Sequence, residues 1–176
     1  CGFNLAPIEE YTKWENVNII MGKPGSGKTE IIKRLLDQIC QEGDEVLVIA
    51  LGNINDDKSL MSVLSRWKHS FLVSENASIL DKVATMKGSF NRIFIEVDYT
   101  FTQKVIEHSL MEESVAMICS GADQIFNSDE FFSETYKIQS PLILTRLDLC
   151  SDLPSALNSL ADTGVEINGT ATGPWK

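Results

Sequence analysis

Apolar residues recur along this chain at two alternating spacings. Val17-Asn18-Ile19-Ile20-Met21 and Glu45-Val46-Leu47-Val48-Ile49-Ala50 are short, nearly continuous apolar runs, the pattern of strands buried on both faces. Between them Ile31, Ile32, Leu35, Leu36, Ile39 and Cys40 share one side of a 3.6-residue turn, and Gly43 follows where a left-handed helix cap is wanted. The alternation continues. A polar segment from Gly52 to Lys58 leads into a helix ending near Trp67, a short strand Phe71-Leu72-Val73 and a helix over 78–86. Arg92-Ile93-Phe94-Ile95-Glu96 is a fourth strand, followed by a helix over 102–111 and a strand over 115–119. Then come a helix over 129–136, a strand over 142–145, a helix over 154–161 with Pro154 in its first turn, and a strand over 165–167. Ser151 or Asp152 is placed to cap that last helix. Strands of this kind alternating with amphipathic helices predict an α/β domain, a mainly parallel sheet with helices on both faces.

The junction of the first strand and helix carries the most specific chemistry. Gly22-Lys23-Pro24-Gly25-Ser26-Gly27-Lys28-Thr29 fits the phosphate-loop signature in full, with an apolar strand entering and an amphipathic helix leaving. The glycines let backbone N–H groups curl around an anion, and the helix adds its unpaired amides and positive dipole end. Lys28 is expected to neutralise the β- and γ-phosphates, and Thr29 to offer its hydroxyl to Mg²⁺. Together with the element order this predicts the three-layer P-loop NTPase fold.

Two other strand ends bear candidate groups at the carboxyl edge of the sheet, where ligands of open α/β sheets gather. Glu96 ends the fourth strand and is a candidate Mg²⁺ holder and catalytic group beside Lys28; Asp98 is a second candidate, and an acid merely ending a strand is also common. Thr145-Arg146-Leu147-Asp148 ends another strand. Its carboxylate can accept two hydrogen bonds from guanine, each worth about 1.5–3 kcal/mol when charge-assisted, or can simply cap a helix.

Composition narrows the partners. A net charge of -10 speaks against a broad face for DNA or RNA, which needs clustered Lys and Arg. Cys1, Cys40, Cys119 and Cys150 show no metal-ligand spacing and read as buried thiols. His69 and His108 stand without partners at metal spacing and read as surface or capping residues, while Trp14 and Trp67 read as core residues. No apolar stretch is long enough for a membrane span. A lead-in over 1–15, a domain over 16–173 and a tail over 174–176 are expected; the start at Cys1 suggests a piece of a longer protein.

In order along the chain, these pieces resemble the GTPase domain of the signal-recognition-particle family, its flagellar branch above all. Thr145-Arg146-Leu147-Asp148 resembles that family's Thr-Lys-Leu-Asp motif. Ser155-Ala156-Leu157-Asn158, Asp162-Thr163-Gly164 and Gly169-Thr170-Ala171-Thr172-Gly173 resemble the family's helix, strand and closing loop downstream of that motif. The resemblance implies guanine reading by Thr145, Arg146 and Asp148, and a closing loop at the base that includes Gly169 and Thr170. It also implies GTP or GDP with Mg²⁺ as ligands, a homodimer or paired GTPase partner, and membrane association through partners; a nucleotide-binding domain is itself expected in the cytoplasm, where GTP and ATP are. The departures are specific. Gly52-Asn53-Ile54-Asn55 replaces Asp-Thr-x-Arg, and Glu96-Val97-Asp98-Tyr99-Thr100 replaces Asp-Thr-Ala-Gly-Arg. Both family arginines are absent, and Glu30 replaces a Thr. Nucleotide binding with slow or lost hydrolysis is therefore expected, in targeting or placement of a membrane-associated assembly. A non-catalytic interaction module is the alternative. The metal-insertion chaperone GTPases also end the fourth strand in Glu, but their cysteine-rich metal motif is missing here.

Overall fold

The computed structural model describes residues 7, 14–52, 58–108, 114–120, 142–163 and 167–171. Seven strands among them form one sheet: β1 (Val17–Gly22), β2 (Glu45–Leu51), β3 (Lys68–Ser74), β4 (Arg92–Val97), β5 (Ser114–Ser120), β6 (Leu142–Thr145) and β7 (Ile167–Ala171). Their order is β3-β2-β4-β1-β5-β6-β7, and every neighbouring pair is parallel. All carboxyl ends therefore lie along one edge. The phosphate loop leaves β1 at the middle of that edge, between β4 and β5.

The alternation of side chains along each strand builds two cores. Val17, Ile19, Leu47, Ile49, Ile93, Ile95, Leu142 and Leu144 face one way, meeting Leu80 and Val83 of helix α3 (Ile79–Met86). Val105 of α4 (Thr102–Ile106) and Ala156 and Leu160 of α5 (Leu153–Thr163) close the same core. Ile20, Val46, Val48, Phe94 and Ile143 face the other way. There they meet Ile31, Ile32, Leu35 and Leu36 of α1 (Lys28–Ile39) and Leu60 and Leu64 of α2 (Lys58–Leu64). This is the three-layer α/β arrangement of the P-loop NTPase fold. Trp14 joins the α1 core, and Trp67 packs at its margin. Asn18, the one polar residue inside β1, is fully buried because its amide pairs with both backbone groups of Glu15, at 2.8 and 3.0 Å.

Several boundaries differ from expectation for identifiable reasons. The final strand is Ile167–Ala171 rather than 165–167. Its pairing to β6 shifts register between Leu142 and Ile143, and Gly169 and Thr170 carry little apolar signal. Gly169 and Thr170 thus lie within a buried strand and not in the loop expected to close over a base. Strand β3 extends to Lys68–Ser74. It is the sheet edge, largely exposed, so polar Lys68, His69 and Ser70 need no burial to pair with β2. Helix α2 ends at Leu64, closed by turn bonds from Arg66 and Trp67 to Val63 and Leu64. The expected helix over 129–136 lies outside the described residues, as do Asn53, Ile54, Asn55, Gly164, Thr172 and Gly173.

Candidate nucleotide-binding site

The loop from Gly22 to Lys28 folds as its glycines require. Gly25 (φ 76) and Gly27 (φ 93) take left-handed backbone conformations that an L side chain rarely adopts. No atom stands within 4 Å of where a Cβ on Gly25 would be, so the crown of the loop is open. Gly27 is the N-cap of α1, with no side chain to satisfy the first amides of the helix, which leaves them to an anion. Lys28 is buried and its ammonium donates to the carbonyls of Gly22 (3.0 Å) and Lys23 (3.1 Å). The charge is thereby folded across the mouth of the loop. The Ser26 hydroxyl is buried in the same loop without a hydrogen-bond partner among the described residues.

Thr29, on the first turn of α1, donates its hydroxyl to the Glu96 carboxylate at 2.8 Å. Glu96 is 4% exposed and sits at the end of β4, paired across to Ile20 of β1. A hydroxyl and a carboxylate meeting beside a phosphate cradle are the hard oxygen donors that suit Mg²⁺. The donor set fits that ion.

Asp98 follows two residues later. Its Oδ1 accepts from the Thr100 amide (3.0 Å) and hydroxyl (2.6 Å). These bonds, the side-chain one foremost, hold its carboxyl below the usual range against a smaller desolvation effect, and the charge of Lys28 adds to the lowering. On the other side Gly52 (φ 111) approaches so closely that an added Cβ would lie 2.3 Å from the Asp98 Cβ. The Gly52 amide bonds Ser74 and the Asp98 amide bonds Leu51, each at 2.8 Å. The ends of β3, β2 and β4 are thus laced together. Tyr99 packs, partly buried, against the core under α3 to α5.

The base-side strand end is joined to the same loop. Thr145 is fully buried and its hydroxyl donates to the Ser26 carbonyl at 2.6 Å. The hydroxyl proton is committed to the loop, so Thr145 ties β6 to the cradle. Arg146 (φ 50) reaches back to the Gly25 carbonyl at 3.3 Å. Asp148 lies exposed in the short 3-10 turn Leu147–Leu149. It does not cap α5, because Asp152 does, accepting from the Ser155 amide at 3.1 Å. Residues Lys28, Thr29, Glu96, Thr145 and Arg146 therefore converge on one loop, while Gly169 and Thr170 belong to β7. Periodicity offered no sign of the Gly52–Asp98 contact or the Thr145–Ser26 bond. His108 meets Asp81 (2.9 Å) on the surface, and His69 meets the Trp67 carbonyl (3.1 Å). No group of three metal-ligating side chains occurs among the described residues, and none of their helices is long and apolar enough to cross a membrane.

A strand, a phosphate loop and a helix with an acid on the neighbouring strand define the class: this is a P-loop NTPase fold. Solved structures share it. FlhF complexed with GTP/Mg²⁺ superposes with a TM-score of 0.67 at 13% identity, covering 96% of this chain and 71% of FlhF. Chloroplast FtsY from Physcomitrella patens gives 0.65 at 15% identity, covering 96% of this chain and 63% of FtsY. The hydrogenase maturation factor HypB from Archaeoglobus fulgidus gives 0.62 at 15%, covering 88% of this chain and 80% of HypB. No family model and no curated protein matches the sequence.

Proposed function

We propose that this domain binds a guanine nucleotide with Mg²⁺ and hydrolyses GTP slowly or not at all, in targeting or placement of a protein assembly at a membrane. One observation carries the reading: the Lys28 ammonium and the Thr29–Glu96 pair meet in a loop whose glycines hold its amides open. The backbone amides and Lys28 would hold the phosphates, and Thr29 and Glu96 the metal. When bound, Mg²⁺ supplies charge neutralisation between the β- and γ-phosphates. Asp148, exposed beside Arg146, would accept from the guanine edge. The neighbour FlhF, solved with GTP and Mg²⁺, supports the choice of ligand. Slow hydrolysis is inferred from residue types: neither position that bears an arginine in the resembling family bears one here. Such an arginine is worth about 10³–10⁵ in rate.

Calorimetry with GTP, GDP and ATP, each with and without Mg²⁺, tests the binding. Guanine nucleotides are expected to bind with Mg²⁺ and to lose affinity in Asp148→Ala; equal affinity for ATP refutes the guanine assignment. Single-turnover hydrolysis as fast as in FlhF refutes the kinetic part. The second reading, a nucleotide-gated module without catalysis, is favoured by Asp98-Tyr99-Thr100, which begins a tight 3-10 turn (Tyr99–Phe101) at the strand end. Pairing of two such domains across their nucleotides belongs to the same proposal and is checked by sedimentation with and without ligand.

A further inference from the structure

Beside the Thr29–Glu96 pair the cradle carries a second carboxylate, Asp98, close enough to Lys28 to feel its charge. Along β4 the side chains alternate: Ile93, Ile95 and Val97 lie in the core under α3 to α5, whereas Phe94 lies under α1 and Glu96 bonds Thr29 of α1. Asp98 continues the α1 side by the same alternation, and Tyr99 returns to the opposite core. The parallel register Ile20↔Glu96, carried two residues on, sets Asp98 alongside Gly22. Gly22 is the residue whose carbonyl holds the Lys28 ammonium at 3.0 Å. The carboxylate is also immobilised. Thr100 grips Oδ1 with its amide and hydroxyl (3.0 and 2.6 Å), and Gly52 abuts the Asp98 Cβ from the β2 side.

In a P-loop cradle the loop amides and lysine hold the β- and γ-phosphates, and the metal bridges them. The γ-phosphate is the outermost of these, so a carboxylate next to the lysine and the metal pair bears on it more than on the β-phosphate. We propose that Asp98 is a fixed anion at the place of the third phosphate, so that this cradle selects a nucleoside diphosphate over the triphosphate. The inference rests on the nucleotide reading above and sharpens its ligand. Its physical cause is like-charge repulsion at a site that cannot relax, because both flanks of Asp98 are pinned; specificity then comes from a disfavoured competitor and not from an added contact.

The test is calorimetry of the whole chain with GDP and with the non-hydrolysable GMPPNP, both with Mg²⁺. The wild type is expected to bind GDP at least about tenfold more tightly than GMPPNP, about 1.4 kcal/mol. Asp98→Asn keeps the size of the side chain and an oxygen for the Thr100 amide. It is expected to raise GMPPNP affinity about tenfold while GDP affinity stays within about twofold, the GDP value also reporting that the variant is folded. A variant that loses GMPPNP affinity would make Asp98 a metal holder and overturn the inference. Equal affinities in the wild type, unmoved by Asp98→Asn, overturn it while leaving nucleotide binding intact. Failure of both nucleotides to bind overturns both readings.

Discussion

At the scale of single residues, the site is held by contacts that tie separate strand ends to one loop. Lys28, Thr29 and Glu96 announce themselves by type and spacing. Thr145 does not, since its buried bond to the Ser26 carbonyl depends on β6 lying two places from β1. Gly52 is the sharpest case. It combines a left-handed φ of 111° with an approach that leaves 2.3 Å between an added Cβ and Asp98, so Gly52→Ala is strained in its backbone and clashes as well. We expect this variant to lose about 2–4 kcal/mol of stability, read from urea denaturation. A loss below about 0.5 kcal/mol would mean that the ends of β2 and β4 are not pressed together in solution.

At the scale of elements, helix α1 joins chemistry to core. Its first turn presents Lys28 and Thr29 to the cradle, and Ile31, Ile32, Leu35 and Leu36, all fully buried, lock it against the sheet. The helix ends at Cys40, whose amide bonds the Leu36 carbonyl at 3.3 Å. Burial, with Asp44 adding to it, pushes the Cys40 thiol from 9.0 up to about 12. A thiol whose pKa rises on folding binds its proton more tightly in the native state. It therefore favours folding below pH 9, and that contribution falls away as pH climbs toward 12. The rise of three units, from 9.0 to about 12, lowers the thiolate fraction at pH 8 on the order of a thousandfold. Cys40 should accordingly react with a thiol reagent at pH 8 far more slowly in the native protein than in denaturant. Mass spectrometry of the labelled peptide reads this, and fast native labelling would contradict the burial.

At the scale of the whole molecule, seven parallel strands bring the ends of β1, β4 and β6 to one edge, and the phosphate loop bridges them. A ligand that binds only this folded edge stabilises the whole domain by mass action. At a hundredfold excess over its Kd the gain is about 2.7 kcal/mol, which for a domain of this size moves Tm by several degrees. We expect GDP with Mg²⁺ to raise Tm in this way and Lys28→Ala to abolish the shift, each protein's own ligand-free Tm being the reference. An equal shift in the variant would place the nucleotide elsewhere.

The phosphate loop, the long apolar strands and helix α1 were legible from residue order, because each is a local pattern: a motif of fixed spacing, a run of apolar residues, a 3.6-residue period. Strand β3 at the exposed edge and β7 with its Gly169-Thr170 were blurred, since pairing to a neighbour and not burial of a periodic face forms them. Only the packed structure decided that Thr145 serves the loop, that Asp152 rather than Ser151 caps α5, and that Asp98 is wedged between Gly52 and Thr100. Contacts between residues dozens of positions apart depend on which strands become neighbours, and strand order is set by the global burial of two sheet faces, a quantity that no short window of sequence contains.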